Sequence, residues 1–272
     1  MGTRTVFDNS KVLELQNPVV MAKACKNRVE LNCSEQAHLH AAAALVRTLA
    51  QLEERMESSL PASEAWFAEL LQKEYSSEAG YVDLSFPTIA GAGSNGAIVH
   101  YGTPSDEKML EPHEMLLVDS GIQCEGGTTD CTRTMSLGEP TSKQKELYTS
   151  VLQAHIRLAM QVFPEGTHGA ALDSITRSGL WNHGLDYGHG TGHGVGAFLN
   201  VHEGPQRISP VSHDVALKPG MIISNEPGFY ETGWGGIRLE NLCRVKSLES
   251  GLRHHPGGKA WLGLETLMFV PF

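Results

Sequence analysis

The chain has few cysteines and none of the close cysteine spacings that build metal or redox motifs. Its five cysteines are an odd number, scattered from Cys25 to Cys243 without a C-x-x-C pair. This pattern argues against a disulfide framework and against a cysteine-rich zinc site. It fits a reducing compartment, so we expect a cytoplasmic protein.

The chain also lacks an apolar N-terminal segment of the signal-peptide kind and any apolar run long enough to cross a bilayer. It has no excess of positive charge, because its formal net charge is -10 at pH 7. An acidic chain is a poor partner for a nucleic-acid backbone. We therefore expect a soluble protein of 272 residues, in one large domain or two small ones, with neither a nucleic-acid nor a membrane partner.

No low-complexity tract or linker interrupts the predicted helices and strands. The capping-box pairs Asn27 with Glu30 and Thr141 with Gln144 each predict the start of a long helix. The first helix carries an apolar pattern through Leu39, Ala43, Val46, Leu49, Leu52 and Met56. The other predicted elements are helices over 63–75 and 169–180 and strands over 81–89, 97–101 and 115–122. The order helix, helix, strands occurs twice, which predicts an α+β domain whose similar halves meet near residue 140.

Residues 91–96, GAGSNG, match the G-x-G-x-x-G pattern of dinucleotide-binding loops. That fingerprint requires a helix directly after it, whereas the strand-like AIVHY follows here. We therefore reject a nucleotide site and predict a glycine-rich turn before a strand that delivers His100.

Five potential metal ligands lie in the second half of the chain: Asp119, Asp130, His193, Glu226 and Glu240. Four carboxylates and one imidazole form a set that suits a pair of divalent ions better than a structural zinc. The sequence CEGG lies between Asp119 and Asp130, and its Gly126 and Gly127 could adopt the positive φ that a turn requires. The resulting hairpin would bring Asp119 and Asp130 together on neighbouring strands. Either aspartate alone could equally be an exposed hairpin residue, but flanking apolar and threonine residues favour burial.

A glycine-rich segment, HGTGHGVG, carries His189 and His193, and His202 follows in NVHEGP. Its glycines argue against a helix and would let a substrate approach the imidazoles, although a flexible loop of ordinary histidines is the alternative. Glu226 follows the strand-like MIISN. Arg238 lies two residues before Glu240 on the same predicted strand face, where it could orient a ligand carboxylate or form a surface salt bridge.

Five stretches together resemble the signature segments of the pita-bread metallopeptidases: DSGIQCEGGTTDCTRT, SNGAIVHY, HGTGHGVGAFLNVHEGP, SNEPGFY and GIRLEN. Within that family the chain is most similar to the Xaa-Pro aminopeptidases (aminopeptidase P), over roughly residues 17–272. The resemblance implies an α+β pita-bread (creatinase/aminopeptidase) fold, with two pseudo-symmetric halves around a dinuclear metal site. It implies a catalytic domain over 19–272, with 1–18 as a lead-in from an N-terminal domain that this chain does not include. Activity and oligomeric state are therefore left open.

The resemblance also implies a role for each matching residue. Asp119, Asp130 and Glu240 would bind one ion, and Asp130, His193, Glu226 and Glu240 the other, so that Asp130 and Glu240 bridge. The further active-site residues that match the family are His100, His189, His202, Tyr230 and Arg238. The ions would be divalent, with manganese favoured and cobalt or zinc as alternatives.

The activity that the resemblance implies is release of the N-terminal residue from a peptide whose second residue is proline. Methionine aminopeptidases and prolidases share the fold and are the alternative enzymes. Some pita-bread domains are non-catalytic peptide-binding modules, but those typically lose metal ligands. All five ligand positions are present here.

Overall fold

The computed structural model describes residues 17–211, 215–248 and 255–272. Most of the predicted lead-in segment therefore lies outside the described residues. The helices of the described part are α1 (Pro18–Ala24), α2 (Arg28–Glu57), α3 (Glu64–Ser76), α4 (Ser142–Ala159) and α5 (Gly169–Trp181). None of them is long and apolar enough to span a membrane.

The two predicted capping boxes are confirmed. The Asn27 side chain accepts hydrogen bonds from the backbone N–H groups of Val29 and Glu30, and the Glu30 carboxylate accepts one from the Asn27 N–H. Thr141 and Gln144 make the same reciprocal pair at the start of α4. These bonds satisfy N–H groups that would otherwise have no partner at the helix start.

The apolar pattern predicted helix α2 and part of its buried face, since Leu52 is buried and Leu49 and Met56 pack against the core. Leu39 and Val46 are 50% and 42% exposed, whereas Ala37, Ala41 and Leu45 are fully buried or nearly so. Small side chains let the helix approach the strand at Gly127, where an added Cβ would lie 2.6 Å from the Cβ of Ala37. Because α2 packs so closely against this strand, its alanine-rich face is the one that is buried.

Two small antiparallel sheets form the first half, in the orders β2-β3-β6 and β1-β4-β5. Their strands are β1 (Tyr81–Leu84), β2 (Ile89–Ala92), β3 (Met115–Ser120), β4 (Ile122–Cys124), β5 (Gly127–Thr128) and β6 (Cys131–Ser136). The predicted strand over 115–122 divides at Gly121, where an added Cβ would lie 2.0 Å from the carbonyl oxygen of Thr129. Gly126 has the predicted positive φ of 81°. The same expectation for Gly127 is wrong, because that residue lies in β5.

The predicted strand over 97–101 is also wrong. A 3-10 helix over Gly93–Ala97 and a turn occupy this segment. The buried Glu64 carboxylate accepts hydrogen bonds from the Ala92 N–H and from the Asn95 and Tyr101 side chains. These tertiary contacts fold the segment around Glu64 in place of the extended conformation that its β-branched residues favour.

The second half again has two helices before most of its strands, but one short strand lies between α4 and α5. A four-stranded antiparallel sheet has the order β10-β13-β14-β7, and two further strand pairs are β8-β9 and β11-β12. The first of these pairs contacts β10, whereas the second contacts the 3-10 helix and the strands β3 and β6 of the first half. The strands of the second half are β7 (Val162–Pro164), β8 (Gly192–His193), β9 (Arg207–Ile208), β10 (Ile222–Asn225), β11 (Gly228–Glu231), β12 (Gly235–Arg238), β13 (Asn241–Leu248) and β14 (Trp261–Thr266). Helices α4 and α5 pack against each other. The predicted α+β architecture is therefore confirmed.

Candidate metal centre

Three of the five predicted metal ligands converge closely. Asp130 directly precedes β6, His193 ends β8, and Glu240 lies in the short connection between β12 and β13. Their potential ligand atoms all lie within 4.8 Å of one another. Glu226, directly after β10, joins them, because Nε2 of His193 lies 3.4 Å from both Asp130 Oδ2 and Glu226 Oε1.

Asp119, on β3, lies beside the other four predicted ligands. Strands β3 and β6 pair with Asp119 opposite Thr132, so the two aspartates lie near each other as predicted. Asp130, however, lies just before β6, and the strands that flank the CEGG turn are β4 and β5. Thr132 connects the two halves, because its hydroxyl donates to the Glu240 carboxylate at 2.6 Å and its carbonyl accepts the Glu240 N–H at 3.1 Å. All five predicted ligands line one cavity of about 870 Å³.

The donor set fits hard divalent cations. One carboxylate oxygen of each of Asp119, Asp130 and Glu240 is buried without a hydrogen-bond partner. Burial raises the pKa of Asp130 and of Glu240, and the neighbouring carboxylates raise each pKa further. Unpartnered buried carboxylates of like charge are unfavourable unless a cation or a proton lies between them. Oxygen-rich sets of this kind suit divalent cations.

Arg238 supports this centre from the side. Its Nη2 donates to Asp119 Oδ2 at 2.7 Å, and both side chains are largely buried, so the surface salt bridge considered above is excluded. The predicted shared strand of Arg238 and Glu240 is wrong, because β12 ends at Arg238. Burial lowers the pKa of Arg238, but Tyr230 and Asp119 outweigh this and hold it well above its usual value.

Tyr230 links Arg238 to His189. Its hydroxyl accepts from Arg238 Nη1 at 2.8 Å and lies 2.8 Å from His189 Nε2. Burial raises the pKa of Tyr230 to about 12 and lowers that of His189. Both groups are therefore held neutral at neutral pH.

The two remaining predicted histidines line the same cavity and are exposed to solvent. The rings of His202 and His193 meet edge to face, with centroids 4.2 Å apart. Partial burial and the nearby His193 lower the pKa of His202. His100 lies three residues after the 3-10 helix and lines the cavity beside Val99. The fold thus brings all the predicted site residues together.

Glu64 is a supporting residue that no sequence motif marks, since an acid at a helix start normally indicates only a favourable charge. It is fully buried. Its donors all lie on the segment 92–105, which carries His100: the Ala92 N–H, Asn95 Nδ2, the Tyr101 hydroxyl and the Ser105 N–H, at 2.7, 3.0, 2.8 and 3.2 Å.

Arg177 supports the glycine-rich segment in a similar way. It is buried on α5, where it pairs at 2.8 Å with Asp173 four residues earlier, a spacing that is visible in the sequence. Its other guanidinium bonds go to Asp186 Oδ1 and to the carbonyls of Tyr187 and His189, at 2.8, 2.6 and 2.6 Å. Asp173 in turn accepts from the Thr191 hydroxyl at 2.6 Å.

Comparisons with known proteins agree with this geometry. Aminopeptidase P2 of Arabidopsis thaliana is 48% identical over 265 residues, which are 97% of this chain and 37% of that protein. The crystal structure of an X-prolyl aminopeptidase from Caenorhabditis elegans, described as a cytosolic enzyme with a di-nuclear active site, matches with a TM-score of 0.88 and 36% identity. That match covers 94% of this chain and 41% of the other.

A prolidase from Thermococcus sibiricus matches with a TM-score of 0.77 and 26% identity, over 93% of this chain and 62% of the other. The chain spans well under half the length of the Arabidopsis and nematode proteins that it matches. These likenesses confirm the predicted pita-bread fold. The family model for metallopeptidase family M24 matches residues 32–247, and the chain belongs to that family.

Proposed function

We propose that this chain is the catalytic part of a dinuclear metallo-aminopeptidase that releases the N-terminal residue from peptides with proline in the second position. The observation that carries the proposal is the convergence of all five family ligands on one cavity. The Arabidopsis and nematode relatives, named as an aminopeptidase P and an X-prolyl aminopeptidase, support the substrate class. We also propose that residues 19–272 form one catalytic domain, and that the protein is cytoplasmic, as the nematode enzyme is described.

The five converging ligands, Asp119, Asp130, His193, Glu226 and Glu240, would hold two divalent ions, with manganese favoured over cobalt or zinc. When bound, such ions supply Lewis-acid chemistry towards water and the scissile carbonyl. Asp130 and Glu240 are the most buried of the four carboxylates, with exposures of 4% and 2%, and are proposed to bridge the ions.

Glu226 is the residue proposed to move protons. Its Oε1 accepts a hydrogen bond from the Ser224 hydroxyl at 3.0 Å, and its Oε2 lies 4.0 Å from Nδ1 of His189. One oxygen is thereby fixed, and the carboxylate lines the cavity where a peptide would lie. It can accept a proton from water and deliver it to the departing nitrogen.

The histidines are proposed to bind the substrate on either side of the scissile bond. A prolyl nitrogen carries no hydrogen, so it cannot donate to the site and must receive a proton as it leaves. His202 lies beside His193 and can donate to the scissile carbonyl oxygen as charge develops there. His100 and His189, which line the same cavity, can bind the prolyl residue.

The test is hydrolysis of a matched peptide panel by protein saturated with manganese: Arg-Pro-Pro, Ala-Pro-Ala, Ala-Pro, Met-Ala-Ser and Ala-Ala-Ala. Release of the first residue from the first two peptides is the expected result. Cleavage of Ala-Pro alone would identify a prolidase, and preference for Met-Ala-Ser a methionine aminopeptidase. Tight binding without hydrolysis, in protein shown to hold both ions, would favour a peptide-binding module.

A further inference from the structure

Residues 194–206 form a loop that carries His202, and we name it the His202 loop. Its two ends are tied together directly after His193. The Gly194 N–H donates to the Gln206 carbonyl at 3.1 Å, and the Gly194 carbonyl accepts the Glu203 N–H at 2.8 Å. An added Cβ at Gly194 would lie 2.2 Å from the carbonyl oxygen of Glu203, so the two ends are in contact. The position of Glu203 therefore determines where the preceding residue, His202, leaves the base of the loop.

The side chain of Glu203 connects the His202 loop to helix α1. Its Oε2 lies 3.1 Å from Nζ of Lys23, which belongs to that helix. An added Cβ at Gly196 would lie 3.0 Å from the same oxygen, so the carboxylate packs against the loop on its other side. The Glu203 side chain is only 10% exposed, whereas that of Lys23 is 43% exposed. An ion pair with an exposed lysine contributes little to holding a carboxylate in place.

Lys26, two residues after α1, is a second cation beside this carboxylate. It is only 5% exposed. Its Nζ and the Oε1 of Glu203 are both buried without a hydrogen-bond partner among the residues that the structure describes. Burial lowers the pKa of Lys26, and of the neighbouring charges Glu203 raises it most, ahead of Glu30. A buried ammonium group is strongly unfavourable unless an opposite charge lies near it, so Lys26 and Glu203 compensate each other.

The backbone around Lys26 is held by the segment that leads into β10. The Lys26 N–H donates to the Gly220 carbonyl at 2.9 Å, and Cys25 forms a β-bridge with Met221, the residue before β10. Ala24 is fully buried in the same hydrophobic core as Met221. The ammonium group of Lys26 therefore projects from a fixed part of the chain, and it can hold the His202 loop through Glu203.

We propose that Lys26 and Glu203 are positioning residues for His202: their buried charges hold the base of the His202 loop against α1 and so keep the His202 imidazole beside His193. This inference rests on the proposed aminopeptidase function, in which His202 donates to the scissile carbonyl oxygen. The two imidazole centroids are 4.2 Å apart. A displacement of the loop by about 1 Å would move the His202 donor out of hydrogen-bond geometry and slow the reaction. The metal ligands lie outside the loop and would stay in place.

The first experiment compares hydrolysis of Ala-Pro-Ala and thermal unfolding in the manganese-saturated full chain. Glu203→Gln keeps the size of the side chain but leaves Lys26 without its opposite charge, so the melting temperature should fall by about 4 °C. Its kcat should fall about tenfold because the His202 donor is misplaced. Its KM should stay within about twofold of wild type, since the lost interaction belongs to the transition state. Lys26→Met should lower kcat to a similar extent, and a wild-type kcat in that variant would overturn the role of Lys26.

The double variant Lys26→Met/Glu203→Gln separates positioning from stability. It contains no unpaired buried ammonium group, so its melting temperature should return towards that of wild type, whereas its kcat should stay low. Recovery of kcat together with the melting temperature would overturn the proposal, because the pair would then be purely stabilising. Glu139→Gln is the control, since it removes a carboxylate that pairs with Lys145 at the surface. It should match wild type in both measurements.

A second experiment follows the position of His202 without requiring turnover. Nuclear magnetic resonance of ¹⁵N-histidine-labelled protein is recorded with zinc, which is diamagnetic, and the His202 signal is identified by its loss in His202→Gln. This signal should shift in Glu203→Gln and in the double variant and should keep its wild-type position in Glu139→Gln. An unchanged His202 signal in Glu203→Gln overturns the proposal. A wild-type protein that hydrolyses no peptide would count against the proposed function, while the His202 signal would still decide the positioning role.

Discussion

Arg238 and Asp119 form a buried ion pair at the edge of the candidate metal centre, with Nη2 2.7 Å from Oδ2. The pair uses only one oxygen of the carboxylate. The other oxygen, Oδ1, is buried without a partner. The arginine therefore fixes the orientation of Asp119 and leaves one oxygen for a cation, which is how a supporting residue tunes a metal ligand.

Arg238→Ala is expected to weaken binding of divalent ions about 10–100-fold, the usual effect of removing a residue that orients a ligand. Competition between the protein and a fluorescent chelator measures the affinity for manganese. Arg238→Lys keeps the charge, but an ammonium group lacks the two separate guanidinium nitrogens that donate to Asp119 and to Tyr230. The lysine variant should therefore retain only part of the affinity for manganese. Affinities within about twofold of wild type in the alanine variant would contradict the orienting role.

Asp130→Asn should have opposite effects on metal-free stability and on metal binding. In metal-free protein it removes a charge that burial and the neighbouring carboxylates disfavour, so the melting temperature at pH 7 should rise by about 3 °C. The same change removes a ligand proposed to bridge both ions, so the second ion and peptidase activity should be lost. Glu240→Gln should behave alike. Calorimetry with and without manganese, combined with elemental analysis, measures both effects, and near-normal turnover in Asp130→Asn would mean that the dinuclear assignment is wrong.

The convergence of the five candidate ligands could be predicted from the sequence because each of them lies in a short segment with its own signal. Asp119 ends an apolar strand, Asp130 follows the glycine turn of its hairpin, and Glu226 directly follows β10. Arg238 was predicted as a supporting residue, but Glu64 could not be predicted in this way. Glu64 accepts hydrogen bonds from donors 28 to 41 positions further along the chain. No local sequence pattern predicts a contact over that separation.

Two of the wrong predictions have the same physical origin. Residues 97–101 have the composition of a strand, yet the Glu64 carboxylate folds the segment just before them into a 3-10 helix. Leu39 and Val46 continue an apolar helical pattern, yet the close approach of α2 to β5 buries the alanine face instead. In both cases a tertiary contact outweighs a local preference of about 1 kcal/mol or less.

Glu64→Gln tests whether the buried carboxylate positions His100. The amide keeps one acceptor oxygen, so at least one pair of donors among Ala92, Asn95, Tyr101 and Ser105 loses its partner. The expected loss is about 1–3 kcal/mol in the free energy of unfolding. A fall in kcat on Ala-Pro-Ala, with unchanged manganese affinity, should accompany it.

The matched control for this variant is Ser63→Ala, which removes the side-chain cap at the same end of α3. Loss of a cap destabilises a protein by about 1 kcal/mol. The variant also removes the bond from the Ser63 hydroxyl to Asp106 at 3.1 Å, but it leaves the four bonds of Glu64 to the segment 92–105 in place. Its kcat should therefore remain near that of wild type at temperatures where both proteins are folded. If the two variants lose activity in proportion to their stability alone, Glu64 is a purely structural residue.

The last prediction concerns acid stability and His38, which is fully buried on α2. Burial lowers its pKa from 6.5 to about 4, although its hydrogen bond to the Ser34 carbonyl opposes this. In the unfolded chain the imidazole takes up a proton near pH 6.5, whereas in the folded protein it does so only near pH 4. Protons therefore favour the unfolded state, and stability that is present above pH 6.5 is lost as the pH falls towards 4. The loss should amount to on the order of 3 kcal/mol.

His38→Leu removes this titration while keeping the site apolar, so its free energy of unfolding should depend less on pH between 7 and 4 than that of wild type. Urea unfolding of chelator-treated protein at several pH values measures the difference between the two. Only the difference between the two proteins tests the role of His38. The raised pKa values of Asp130 and Glu240 make both proteins more stable as the pH falls, and this opposite pH dependence is the same in wild type and variant. His183→Gln, at an exposed position after α5, is the control and should follow wild type throughout. Parallel pH profiles for wild type and His38→Leu would show that His38 does not limit acid stability.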